Sequence, residues 1–285
     1  MDEKEMSRAA GQLLKRVLMV PPQHFTVEYT INPWMGGVVD KAKAFEQWNS
    51  LKTTIEKEGV QVLTMDQTQG LPDQVFVCNS GLVHNNNVYL SRFRHKERTG
   101  EQEHYLKWFK SQGFHIFGDD YPEYFEGGGD AVFSDPHTLW AGVRAHQGNG
   151  RLRDCHLRAD PSQLLPPGHV LLSGRPDHGV VVPTSVFGQH KERGAVGFPP
   201  VELARASVPS LQITRRMPDA IAISDAEANA FVCNAITVRN TVISPIGVSA
   251  ATREALRKRG MSVVEVDMSE FMKSGGACQC LVLRL

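Results

Sequence analysis

Phe76-Val77-Cys78-Asn79 recurs unchanged as Phe231-Val232-Cys233-Asn234, and the segments after each copy decide the fold. The first copy leads through Asn85-Asn86-Asn87 into Val88-Tyr89-Leu90, the second through Arg239-Asn240 into Thr241-Val242-Ile243. Short asparagine-bearing turns between apolar runs are hairpin chemistry, because asparagine tolerates the positive φ that tight turns demand. After each hairpin comes a helical stretch, a glycine and another strand. Glu101 to Ser111 precedes Gly113 and Phe114-His115-Ile116-Phe117-Gly118-Asp119, while Ala250 to Arg259 precedes Gly260 and Met261 through Asp267. The same order stands nearer the start: Asp40 to Glu58 carries Ala44, Phe45, Trp48, Leu51 and Ile55 at helical spacing, stops at Gly59, and passes into Val60 through Asp66. The unit is therefore strand, hairpin, strand, helix, strand. Stacking such units about an axis buries each sheet face against its neighbours, which predicts an α/β fold in one domain over residues 1–285.

The ends and the middle depart from this pattern. Residues 1–13 read as a flexible tail, and from about 145 to 216 the periodic signal gives way to Pro, Gly, Arg and His. Between Ala141 and Ala230 only Phe187 and Phe198 are aromatic, so this stretch is either a long irregular excursion or locally diverged.

With 285 residues, 41% hydrophobic and 22% charged, the chain can bury a substantial core. Its 31 basic and 31 acidic residues leave no net field for a phosphate backbone or an anionic membrane, which argues against both partners. The run Val17 to Val20 stops at Pro21-Pro22, too short for a signal or a membrane span, so a cytoplasmic protein is expected. Five cysteines without a C-x-x-C pair suit neither a disulfide framework nor a zinc site.

Three clusters could carry chemistry. Near the C-terminus, Gly275-Gly276-Ala277-Cys278-Gln279-Cys280 sets two thiols between a glycine pair and an apolar strand; a thiolate there could attack an electrophilic carbon. Cys78, Cys155 and Cys233 read as buried or incidental, the first and third at equivalent repeat positions. Phe125-Glu126-Gly127-Gly128-Gly129-Asp130 places two acids about three glycines, suited to a planar cation or to an ordinary tight turn; it lacks the Lys-Ser/Thr of a phosphate loop. Ser91-Arg92-Phe93-Arg94-His95-Lys96-Glu97-Arg98 could clamp a carboxylate or simply be solvated, and Arg144 has the same two readings. A cysteine acting on a guanidinium needs an acid–base partner, yet none of the 11 histidines stands in a persuasive motif. His178, beside Asp177 in a loop setting, is the best placed; His156, His169 and His190 are weaker.

In this order, Pro72 to Val83, Ser91 to Arg98, Phe125 to Asp130, Phe231 to Ala235 and the terminal Gly-Gly-x-x-x-Cys-Leu-x-Leu resemble the dimethylarginine dimethylaminohydrolase-like branch of the guanidino-group-modifying superfamily. The resemblance covers roughly residues 14–144 and 218–285. It implies a five-bladed pseudo-symmetric α/β propeller of ββαβ modules. It also implies hydrolysis of an arginine-type guanidine to citrulline and an amine through a thiouronium on cysteine, with no metal or cofactor. Sister deiminase or amidine-transfer activity, or a catalytically impaired binder of arginine-like molecules, are the alternatives; a homodimer is left open. By resemblance Cys280 is the nucleophile, directly starting the last strand, with Cys278 as fallback. Glu126 and Asp130 are the acids that bind guanidinium or orient the base, and Arg98, with Arg144 behind it, is the substrate-carboxylate clamp. Asn79 stands where well-characterised enzymes carry an Asp that grips the guanidinium. The family's His-Leu-Asp-Thr-x-Phe should fall at Val182-Pro183-Thr184-Ser185-Val186-Phe187, which holds neither His nor Asp. Over about 145–186 the chain thus reads as a frame-shifted product or a degenerate member, and His178 is the substitute base.

Overall fold

The computed structural model describes residues 14–122, 124–135, 138–141, 172–173, 179–181 and 221–285, with side chains outside 132–220. His178, Arg144, His156, His169, His190, Cys155, the Val182–Phe187 stretch and the residue 1–13 tail all lie outside the described residues.

In chain order come strand β1 (Arg16–Met19), helix α1 (Lys41–Lys57) and strand β2 (Gln61–Thr64). Two 3-10 turns, Pro72–Val75 and Val77–Ser80, lead into β3 (Gly81–His84), β4 (Asn87–Leu90), α2 (Glu101–Ser111) and β5 (His115–Phe117). A third 3-10 turn, Gly127–Gly129, opens β6 (Ala131–Asp135), followed by β7 (Thr138–Ala141), β8 (Leu172–Ser173), β9 (Gly179–Val181) and β10 (Ile221–Ala222). The remainder is α3 (Asp225–Asn229), β11 (Ile236–Val238), β12 (Thr241–Pro245), α4 (Ala250–Arg257), β13 (Ser262–Val266), α5 (Ser269–Met272) and β14 (Leu283–Arg284).

Strand pairing obeys a common rule. β3 and β4 are antiparallel and β5 returns parallel to β4; β11, β12 and β13 repeat this, as do β8, β9 and β10. A short turn can join only antiparallel neighbours, whereas a parallel return needs a crossover, here α2 or α4. In the remaining three-stranded sheet β1 pairs parallel with β2 across α1, and the antiparallel partner of β1 is β14, from the other end of the chain. With the β6–β7 pair, the described residues form five small sheets of an α/β protein.

Local sequence explains the elements. Asn85 turns the first hairpin at φ 54°, as its chemistry predicts, while in the second the positive φ falls on Arg239 and not on Asn240. Asp40 caps α1, accepting from the Lys43 N–H at 3.0 Å. The buried face of α1 is Ala44, Gln47, Trp48, Leu51 and Ile55; Phe45, expected inside, is only half-buried. Gln47 takes its place, accepting from the Glu270 N–H at 3.0 Å and donating to the Ser269 hydroxyl at 2.9 Å. These bonds, with the Asp40 N–H donating to the Glu270 carboxylate at 2.8 Å, fasten α1 to the C-terminal segment. Phe25 stacks on Phe271 with centroids 4.9 Å apart and meets Phe76 edge-on at 5.9 Å. Cys278, Leu281 and Val282 bury themselves in the same cluster as β1, so the C-terminal segment runs through the core. No helix among the described residues is long and apolar enough to cross a membrane.

Candidate active site

Cys280 is not the first residue of the terminal strand. It sits in a turn closed by Leu281 N–H to Ala277 carbonyl at 3.3 Å and Val282 N–H to Gln279 carbonyl at 3.1 Å, and β14 starts only at Leu283. Both copies of the repeated tetrapeptide hold this turn. The Cys78 N–H donates to the Cys280 carbonyl at 3.2 Å. From the other side, the Asn234 side-chain carbonyl accepts the Gln279 and Cys280 N–H groups at 3.0 and 3.2 Å, and its Nδ2 donates to Cys280 Sγ at 3.0 Å.

Sulfur chemistry differs sharply among the cysteines. The Cys280 pKa is lowered to about 6, first because the Cys78 thiol hydrogen-bonds to it; burial opposes this, and Asn234, the Ala277 backbone and the positive field of Arg98 assist. The same bond to Cys280, with burial, pushes the Cys78 thiol well up. Cys278 is fully buried and burial pushes its thiol up; Cys233 is pushed to about 12 by burial and then by Glu227. Among the described cysteines, then, Cys280 is the partly accessible one and the one held as a thiolate near neutral pH.

Acids lie on the Cys78 side of this thiol. Asp73, buried, accepts from the Tyr29 hydroxyl and the Ser274 hydroxyl, each at 2.9 Å. Burial raises its carboxyl against the opposing pull of Arg98, Ser274 and Tyr29, while burial and then Asp73 keep the Tyr29 phenol protonated. Glu126 is set beside the Cys78–Gly81 backbone by the glycine run that follows it. A Cβ on Gly127 would lie 2.6 Å from the Gly81 carbonyl and 2.8 Å from that of Cys78, at a φ of 55°, so only glycine lets this turn lie flat on the Cys78–Gly81 backbone. Asn79 then donates from Nδ2 to the Glu126 carbonyl at 3.0 Å. The Glu126 carboxylate accepts from the Arg94 N–H at 3.3 Å.

One expectation is corrected. Arg98 is no free clamp: its guanidinium is buried, with bidentate bonds to Glu101 at 2.8 Å each, further bonds to Asn79 Oδ1 and the Asp73 carbonyl at 3.1 Å, and the Phe93 ring 4.6 Å away. Sequence does not distinguish an arginine that faces solvent from one that closes an i,i+3 pair inside. Asp130 accepts from the Glu126 N–H at 2.7 Å, so it braces the glycine turn. Cys78, expected to be buried or incidental, is buried, and its thiol lowers the pKa of Cys280. The structure joins Cys280 to Cys78 and Asn234, and Asn79 to the Glu126 carbonyl and Arg98, whose guanidinium also reaches the Asp73 carbonyl; Asp73, Tyr29, Asn234 and Cys78 are residues that sequence patterns do not single out. Asp73 and Asn234 lie within the quoted motifs, and their pairing with residues 201 and 45 positions away is information the motifs lack. Arg92 bridges its backbone to Phe125, next to Glu126, and has an exposed guanidinium that donates to the Tyr121 carbonyl at 3.3 Å.

Comparisons with known proteins place the chain among related sequences and structures. Residues 36–148 match the family model "N,N dimethylarginine dimethylhydrolase, eukaryotic". An uncharacterised protein of Caenorhabditis elegans is 58% identical over 100% of this chain and 99% of its own length. The N(G),N(G)-dimethylarginine dimethylaminohydrolase of Mycobacterium tuberculosis is 30% identical over 95% of this chain and 86% of that enzyme. The bifunctional arginine dihydrolase/ornithine cyclodeaminase ArgZ of Synechocystis is 36% identical over 95% of this chain, which spans only 37% of ArgZ. The separate N-terminal domain of ArgZ, solved covalently bound to a reaction intermediate, superposes with a TM-score of 0.74 at 32% identity, covering 94% of this chain and 97% of that one.

Proposed function

The chain belongs to the dimethylarginine dimethylaminohydrolase family, and we propose that it hydrolyses the guanidino group of arginine or an N-methylated arginine, giving citrulline and an amine. The observation that carries this reading is the Cys280 sulfur, held as a thiolate with the Asn234 amide and the Cys78 thiol as donors. Asp73 and Glu126 suit the N–H groups of a planar cation, each accepting in the plane of the guanidinium. Arg92 is the candidate for the substrate carboxylate, since the donors of Arg98 already have partners.

In this reading Cys280 Sγ attacks the guanidinium carbon, forming the C–S bond of a tetrahedral adduct. Collapse to the thiouronium breaks a C–N bond, and the departing amine takes a proton. Water then adds to the same carbon and the thiolate leaves, restoring Cys280 and releasing the ureido product. The Asn234 amide and the Cys78 thiol keep the sulfur charged and aimed in both halves. The candidate for the base that handles the two protons is His178, which lies outside the described residues. The four three-stranded sheets and the separate β6–β7 pair would stand as a five-bladed propeller in one domain. A cytoplasmic setting suits its unbridged thiols.

A second reading is supported by Asn79 and by the higher identity to ArgZ: unmethylated arginine, with both terminal amines removed. Release of citrulline, ornithine, ammonia and methylamines from arginine, monomethylarginine and asymmetric dimethylarginine, beside a Cys280→Ser variant, tests both. No product from any of the three by the folded protein would overturn them.

A further inference from the structure

Cys78 has a use that guanidine hydrolysis does not require. Its N–H donates to the Cys280 carbonyl at 3.2 Å, and the two thiols lie near enough for each to shift the other's acidity. A backbone bond of this kind keeps the two Cα atoms roughly 5–6 Å apart, the separation a disulfide spans. Neither cysteine is bridged, and Cys280 is partly exposed while Cys78 is buried behind it. A nucleophilic, accessible sulfur backed by a second thiol is the arrangement of a thiol that oxidises and is then resolved.

We propose that Cys78 and Cys280 form a hydroperoxide-reactive dithiol site that closes to an intramolecular disulfide. The Cys280 thiolate attacks the outer oxygen of the hydroperoxide; the S–O bond forms, the O–O bond breaks, and the alcohol, or water from hydrogen peroxide, leaves with a proton. The Cys78 sulfur, giving up its proton, then attacks the Cys280 sulfenic acid; the S–S bond forms, the S–O bond breaks, and water leaves. Two thiols lose two electrons and two protons, and one hydroperoxide is reduced. Gly127 and Gly128, packed without side chains on the Cys78 backbone, hold the resolving cysteine in place.

The inference stands on the thiol pair and not on the identity of the guanidine. The full chain is treated with equimolar hydrogen peroxide, blocked with iodoacetamide, digested without reductant and weighed by mass spectrometry. The expected result is a Cys78 peptide joined to a Cys280 peptide, short of two hydrogens and separated by dithiothreitol, with haloacetamidine labelling of Cys280 lost on oxidation and restored on reduction. In a Cys78→Ser variant, checked for native circular dichroism, Cys280 should pass to sulfinic acid and labelling should not return. Cys280 bridged to Cys278, or Cys280 over-oxidised in the parent while Cys78 is alkylated, would overturn the proposal. The bridge is read by mass whether or not citrulline is formed.

Discussion

The two copies of Phe-Val-Cys-Asn are identical in sequence and opposite in use. In the first, the cysteine is the neighbour of Cys280, and the asparagine is bonded to Arg98 and to the Glu126 carbonyl. In the second, the asparagine is the neighbour of Cys280, with three bonds to Gln279 and Cys280, while the cysteine is buried and pushed to about 12. The backbone shows where they part: the second copy starts at Phe231 with φ 58°, whereas Phe76 has φ −84°. The terminal turn passes between them, one copy holding its carbonyl and the other its N–H groups. A repeated strand unit supplies equivalent places, and an asymmetric segment through the middle gives those places different work.

Removing the group that both copies grip should have the largest effect. Cys280→Ser should lower turnover by about a thousandfold or more and abolish the covalent adduct seen by mass. Asn234→Ala should come next, with kcat down by about a hundredfold, because it removes both the aim and a donor to the sulfur. The pH dependence of alkylation sharpens the comparison further. With the Cys280 pKa at about 6, the parent rate should rise through that pH and then level. Cys78→Ala removes a donor that favours the thiolate, so the midpoint moves up and the rate at pH 6 falls, by about fivefold if the midpoint rises to about 7. Cys233→Ala should leave that midpoint in place and cost about 1 kcal/mol of stability in urea titration; an equal displacement of the midpoint by both cysteine variants would erase the distinction.

The smallest effect concerns the support beneath the second copy. Glu227 forms a capping box with Ser224 and accepts from the Ser249 N–H at 3.0 Å. Burial raises its pKa, but the Ser224 and Ser249 N–H groups and the Thr252 and Ser224 hydroxyls outweigh it and lower the value to about 2. A carboxylate with a depressed folded pKa stabilises above its ordinary value of 4.5 and loses that contribution as pH falls through about 2. Glu227→Gln should therefore cost about 1 kcal/mol at pH 7 and less at pH 2; a constant difference across that range would refute the capping role.

Much of the fold is legible in the sequence because its signals are local. Asn85, Gly59, Gly113 and Gly260 mark turns through their own φ preferences, and the face of α1 follows from spacing. The site is legible only in part. Cys280 and Glu126 stand out by their glycine neighbours, but Arg98 passes for a substrate clamp because its partner Glu101 is equally plausible as a surface residue in a charged run. Asp73 escapes notice because its partners, Tyr29 and Ser274, are distant in the chain.

The amino-acid sequence alone determined the repeating strand–hairpin–helix–strand unit, since backbone preference and apolar periodicity act over a few residues. Only the tertiary structure decided that β14 completes the sheet of β1, that Arg98 is an interior ion pair, and that Cys78 and Asn234 meet at Cys280. Those outcomes depend on which groups leave water together. Burial and charge are properties of assembled neighbours, and two identical tetrapeptides acquire different chemistry when different neighbours close over them.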